Sequence, residues 1–93
     1  MATNLELKRT LTTMLPTPED IRTYIADGLD CEHIEVTGDG AHFEAVIVSA
    51  AFAGKRLIAR HQLVYAALGD RMKQEIHALS MQTLTPEEFN GNR

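Results

Sequence analysis

The stretch Cys31-Glu32-His33-Ile34-Glu35-Val36-Thr37-Gly38-Asp39-Gly40-Ala41-His42-Phe43-Glu44-Ala45-Val46-Ile47-Val48-Ser49 decides how this chain folds. From Cys31 to Thr37, Ile34 and Val36 alternate with His33 and Glu35, the period-two pattern of a strand with one buried face. Phe43 to Ser49 is rich in the β-branched and aromatic residues that fit a pleated surface. Gly38-Asp39-Gly40 between them permits positive backbone dihedrals and a tight reversal. The stretch therefore predicts a β-hairpin, and an aspartate between two glycines is accounted for by the turn alone.

On the N-terminal side of the hairpin, Thr17 can cap a helix and Pro18 fits its first position. Asp20 completes a capping box, and Ile21, Tyr24 and Ile25 supply an apolar stripe that stops at Gly28. Leu7, Leu11, Met14 and Leu15 recur at helical spacing after Asn4, so residues 1–16 read as a leader, either a short helix or a loose arm. On the C-terminal side, Phe52-Ala53-Gly54-Lys55 is a break. Leu57, His61, Val64, Tyr65 and Leu68 then mark the inward face of a second helix, with Arg56 and Arg60 on an adjoining face. Gly69-Asp70 interrupts, Arg71 to Ile76 continues as another helical turn or two, and His77 to Leu84 alternates as a third strand. Thr85-Pro86-Glu87-Glu88 repeats the cap-then-proline start of a last short helix. The predicted class is α+β, in the order α-β-β-α-α-β-α. A three-stranded mixed sheet with helices packed on one face satisfies the two-layer rule.

With 93 residues the chain has room for one domain, here 17–93 after the leader. An apolar share of 44% and a charged share of 24% place it among globular rather than disordered chains. Cys31 is the only cysteine, which rules out an internal disulfide and reads as a buried structural thiol. Met1 to Leu15 carries Glu6, Lys8 and Arg9 and lacks the apolar run of a signal peptide or membrane span, so a cytoplasmic location without membrane association is expected. A net charge of -4 argues against nucleic-acid binding by global electrostatics. Yet Lys55, Arg56, Arg60, Arg71 and Lys73 are five of the nine Lys and Arg residues, and they fall in one short stretch. A basic face on an acidic protein is compatible with that clustering.

No constellation for catalysis emerges. The chain has no Gly-x-Ser-x-Gly elbow, no phosphate-cradling glycine loop with a lysine and no His-Glu-x-x-His pair. Glu19-Asp20 and Glu87-Glu88 stand at helix starts, where negative charge meets the positive end of the dipole. An enzyme is therefore not expected. Four histidines, His33, His42, His61 and His77, and one cysteine cannot make a structural zinc cage. They also fall short of a self-sufficient iron-sulfur site, so any cluster would have to be shared. His61 lies between Leu57 and Tyr65 and reads as a structural histidine bonded to the sheet or a helix end.

The runs His42-Phe43-Glu44-Ala45-Val46-Ile47-Val48-Ser49, Phe52-Ala53-Gly54-Lys55, Arg60-His61-Gln62-Leu63-Val64-Tyr65, Ile76-His77-Ala78-Leu79-Ser80 and Leu84-Thr85-Pro86-Glu87-Glu88, in this order, resemble the BolA family over about Thr17 to Phe89. The resemblance implies a topology similar to class II KH domains. It also implies partnership with a monothiol glutaredoxin, the two proteins bridging a [2Fe-2S] cluster used in iron-sulfur trafficking, iron sensing or stress response. In such pairs the glutaredoxin cysteine and glutathione hold one iron, and the position matching His77 holds the other. A second ligand, where one exists, comes from the loop between the first two strands. Here the cysteine position of one subgroup is occupied by Asp39, as in acidic-loop bacterial members. Asp39 could ligate or simply make the turn, and His42 could substitute or be a strand-edge histidine. Alone, the protein would hold no cluster and would be a monomer or weak homodimer.

The alternative that the resemblance implies is a DNA-binding transcriptional regulator. Lys55, Arg56, Arg60, Arg71 and Lys73 would then touch phosphates without reading bases. The missing Gly-x-x-Gly clamp and the negative net charge count against it.

Overall fold

In the computed structural model the chain is described over residues 16–39, 41–72 and 78–91. The hairpin forms as its pattern requires. Strand β1 (His33–Gly38) pairs antiparallel with β2 (Phe43–Val48), running from His33 opposite Val48 to Gly38 opposite Phe43. Strand β3 (Leu79–Leu84) lies parallel to β2, with Phe43 beside Leu79 and Val48 beside Leu84. The result is the expected mixed three-stranded sheet, in the order β1-β2-β3. The third strand starts at Leu79 rather than at His77; residues 73–77, including Lys73 and His77, lie outside the described residues, as does the leader up to residue 15.

Register and the alternation of side chains sort the sheet into two faces. Phe43, Ala45 and Ile47 of β2 point to one face, where they join the core with Leu79 of β3. Glu35 and Thr37 of β1, Glu44 and Val46 of β2, and Ser80 and Gln82 of β3 share the other.

Helix α1 (Pro18–Gly28) begins with the predicted capping box. The Asp20 N–H donates to Thr17 Oγ1 and the Thr17 N–H donates to the Asp20 carboxylate, both at 3.1 Å. Ile21 and Ile25 are fully buried in the core. A 3₁₀ turn at Ala50–Phe52 leads to helix α2 (Leu57–Leu68), and a second at Gly69–Met72 follows it; the rest of the helical continuation expected up to Ile76 lies outside the described residues. The expected inward stripe of α2 is only partly right. Val64 and Leu68 are fully buried, whereas Leu57 is 63% and Tyr65 41% exposed. Phe52 and Met72, in the turns before and after the helix, are fully buried and join the core.

The turn glycine Gly38 also plays a different part from the one expected. Its backbone has no positive φ. Instead, a Cβ there would stand 2.5 Å from the His42 carbonyl oxygen and 2.7 Å from Phe43 Cδ1, so the residue is small because the hairpin closes against it. Helix α3 (Pro86–Gly91) closes the fold with a second capping box, Thr85 N–H to Glu88 Oε1 at 2.9 Å and Glu88 N–H to Thr85 Oγ1 at 3.1 Å. Its Phe89 ring stacks on His33 of β1 at 5.1 Å. Among the described residues, no helix is long and apolar enough to cross a membrane.

Candidate functional site

Asp39 and His42 meet at the hairpin end of the sheet. Asp39 Oδ1 accepts the backbone N–H groups of Ala41, at 2.9 Å, and His42, at 3.0 Å, and the Asp39 N–H donates to the His42 carbonyl at 3.3 Å. These bonds, the Ala41 N–H first among them, hold the Asp39 carboxyl below the usual carboxylate range. One carboxylate oxygen is thus committed to the turn, the role the sequence suggested for this residue. The His42 side chain is exposed, and its Nε2 lies 3.2 Å from Ser80 Oγ, which ties the hairpin to the start of β3. The described chain resumes at Ala78, one residue after His77, and Leu79 there stands beside Phe43, the neighbour of His42. His77 itself lies outside the described residues.

Cys31 belongs to the opposite end of the hairpin. It precedes β1, while Asp39 and His42 lie beyond the far end of a six-residue strand that spans roughly 20 Å. It is half-buried rather than fully buried, and loss of solvent, with the Asp30 carboxylate adding, pushes its thiol up to about 11. A thiol so reluctant to ionise is a poor metal ligand at neutral pH. Among the described residues no three His, Cys, Asp or Glu side chains converge as a metal site.

His61 departs from expectation. Its Nε2 is enclosed but finds no hydrogen-bond partner among the described residues, so this nitrogen does not make the expected bond to the sheet or a helix end there. The ring instead meets the edge of Tyr65, one turn further along α2, at 6.4 Å and 70°. His33 lies 3.6 Å from Glu35 Oε1 and under Phe89, and so takes part in closing α3 onto the sheet.

The four described basic candidates have different surroundings. Lys55 and Arg56 are exposed at the start of α2, where Arg56 is the N-cap residue and makes no side-chain cap. Arg60 turns inward. Its Nε donates to the Lys55 carbonyl at 2.9 Å, its Nη1 to the Thr83 carbonyl at 3.0 Å, and its two terminal nitrogens grip the Glu88 carboxylate at 2.7 and 3.2 Å. The guanidinium first, and the Thr85 N–H after it, pull the Glu88 carboxyl down to about 2. Arg71 pairs with Asp27 at 3.5 Å and lies 5.0 Å from the centre of the Tyr24 ring. Arg60 and Arg71 therefore join helices to one another and to the sheet, and Lys73 lies outside the described residues. Capping-box spacing marks Glu88 in the sequence, but nothing local marks its pairing with a residue 28 positions away.

Comparison with known proteins places these features. A family model described as BolA-like protein matches residues 25–88, more than half of the chain. Protein BOLA2 of Arabidopsis thaliana is 42% identical over 78 residues, covering 78% of this chain and 83% of the relative. The DNA-binding transcriptional regulator BolA of Escherichia coli (strain K12) is 36% identical over 59 residues, covering 63% of this chain. That match spans only 56% of the regulator's own length. A solved bolA protein homologue from Coxiella burnetii has a TM-score of 0.73 at 44% identity, covering 82% of this chain and 99% of that one. None of these relatives is named as an enzyme. The chain belongs to the BolA family.

Proposed function

We propose that this protein is the histidine-donating half of a split iron-sulfur site, completed by a monothiol glutaredoxin and its glutathione, in iron-sulfur trafficking or iron sensing. The observation that carries this reading is His42, an exposed imidazole held by Ser80 at the sheet corner where the described chain resumes one residue after His77. Imidazole in place of thiolate on one iron of a [2Fe-2S] cluster raises its potential. Asp39 remains a lesser candidate, since its second carboxylate oxygen is a hard donor while Oδ1 stays in the turn. Cys31 stands too far along the hairpin to contribute. The test is anaerobic reconstitution with a monothiol glutaredoxin, read by visible absorption and circular dichroism. His77→Ala is expected to abolish or reshape the visible dichroism, and His42→Ala to shift it. Spectra identical to wild type from both variants would remove these residues from the site.

A second reading, DNA binding in transcriptional regulation, is favoured by the name of the Escherichia coli relative and by the exposure of Lys55 and Arg56. Duplex binding of Lys55→Glu/Arg56→Glu across a salt titration tests it.

A further inference from the structure

The sheet face turned away from α1 and α2 carries a shallow groove of about 340 Å³, lined by Glu35, Thr37, Glu44, Val46, Ser80 and Gln82. From its shape and charge we infer that this groove receives an extended segment of a protein partner that bears cationic side chains at alternate positions, Lys or Arg, then any residue, then Lys or Arg.

Three observations select that occupant. Among the described residues the groove is lined by two carboxylates and by no Lys or Arg; two imidazoles border it, His33, 3.6 Å from Glu35 Oε1, and His42, 3.2 Å from Ser80 Oγ. The spacing is specific as well. Glu35 stands opposite Val46 and Thr37 opposite Glu44, so the two glutamates are diagonal neighbours on adjacent strands, roughly 7–8 Å apart at the backbone. An extended chain repeats its side chains on one side every roughly 7 Å, so cations two residues apart reach both carboxylates, while adjacent ones point to opposite sides. The remaining lining is suited to a backbone. Thr37, Ser80 and Gln82 offer hydroxyl and amide groups to it, and Val46 gives the aliphatic stems of the cations an apolar floor. Ser80 also holds His42, so an occupied groove would abut the hairpin corner. The inference stands independently of the cluster reading, because it concerns Glu35 and Glu44 and needs no metal.

The experiment titrates the full chain, labelled with nitrogen-15, with three blocked pentapeptides: Thr-Lys-Val-Lys-Thr, its counterpart Thr-Glu-Val-Glu-Thr, and Thr-Lys-Lys-Val-Thr. The alternating lysine peptide is expected to move the amide signals of the groove residues. The glutamate peptide should leave them in place, and the adjacent-lysine peptide should bind several-fold more weakly. Glu35→Gln/Glu44→Gln should weaken the alternating peptide at least tenfold with an unchanged circular dichroism spectrum. Shifts centred on another face, equal binding of the two lysine peptides, or undiminished affinity of the double variant would overturn the inference. If that variant did not fold, the wild-type shift map and the peptide ranking would still decide.

Discussion

A carboxylate that accepts hydrogen bonds from a guanidinium and a backbone N–H gives up both when it is protonated, and Glu88 accepts from Arg60 and from Thr85. Its folded-state value is depressed from an ordinary 4.5 to about 2. The unfolded chain therefore binds this proton more readily than the folded one, so the contribution of Glu88 is fully present above about pH 4.5 and is lost as pH falls toward 2. Melting followed by circular dichroism at pH 7 and pH 3 should show the wild type losing thermal stability on acidification. Glu88→Gln is expected to melt lower than wild type at pH 7, with a smaller difference between the two proteins at pH 3. An equal gap at both pH values would mean that the Arg60–Glu88 bond does not carry this pH response. Arg60 illustrates the limit of reading residues from sequence. It fell in a basic cluster, and charge alone cannot tell a cation that faces solvent from one that binds the Thr83 carbonyl and Glu88.

At the scale of elements, what was legible was local. The alternation on β1, the turn at Asp39, and the capping boxes Thr17/Asp20 and Thr85/Glu88 depend on neighbours within a few residues, and all appear in the structure. The inward face of α2 was only half legible, because helical periodicity gives a stripe but not its rotation about the axis, which the buried residues of adjacent elements decide. The same non-local packing explains Gly28, which reads from sequence merely as a helix stop. A Cβ there would stand 2.7 Å from Ala67 Cα and 2.8 Å from its Cβ, so α1 and α2 are packed backbone to backbone at this point. Gly28→Val is therefore expected to destabilise the fold by about 1–3 kcal/mol, the usual cost of overpacking. For a domain of this size each kcal/mol lowers the melting temperature by about 4–8 °C. Gly91→Ala is the control, because among the described residues nothing lies within 4 Å of a Cβ at that position of α3. If Gly28→Val melts no lower than Gly91→Ala, the close approach does not constrain the helix pair.

Among the described residues, some exposed charges stand apart from the ion pairs. Glu35 and Glu44 are exposed on the sheet face turned away from α1 and α2, and Lys55 and Arg56 mark the start of α2, in a chain with a net charge of -4. This distribution bounds how the protein could hold DNA. Each phosphate neutralised contributes about -0.9 to the slope of log affinity against log salt. With Arg60 gripping Glu88 and Arg71 pairing with Asp27, the exposed tip offers Lys55 and Arg56, which predicts a slope of about -2. Recruiting Arg71 and Lys73 as well would steepen it to about -4. Fluorescence anisotropy with a labelled duplex between about 50 and 200 mM salt measures this slope directly. Lys55→Glu/Arg56→Glu should then flatten it toward zero and weaken binding alike on unrelated sequences, as expected for contacts that reach phosphates and not bases. A slope much steeper than -4 in the wild type, or one that the double variant leaves unchanged, would place the DNA on cations other than this tip.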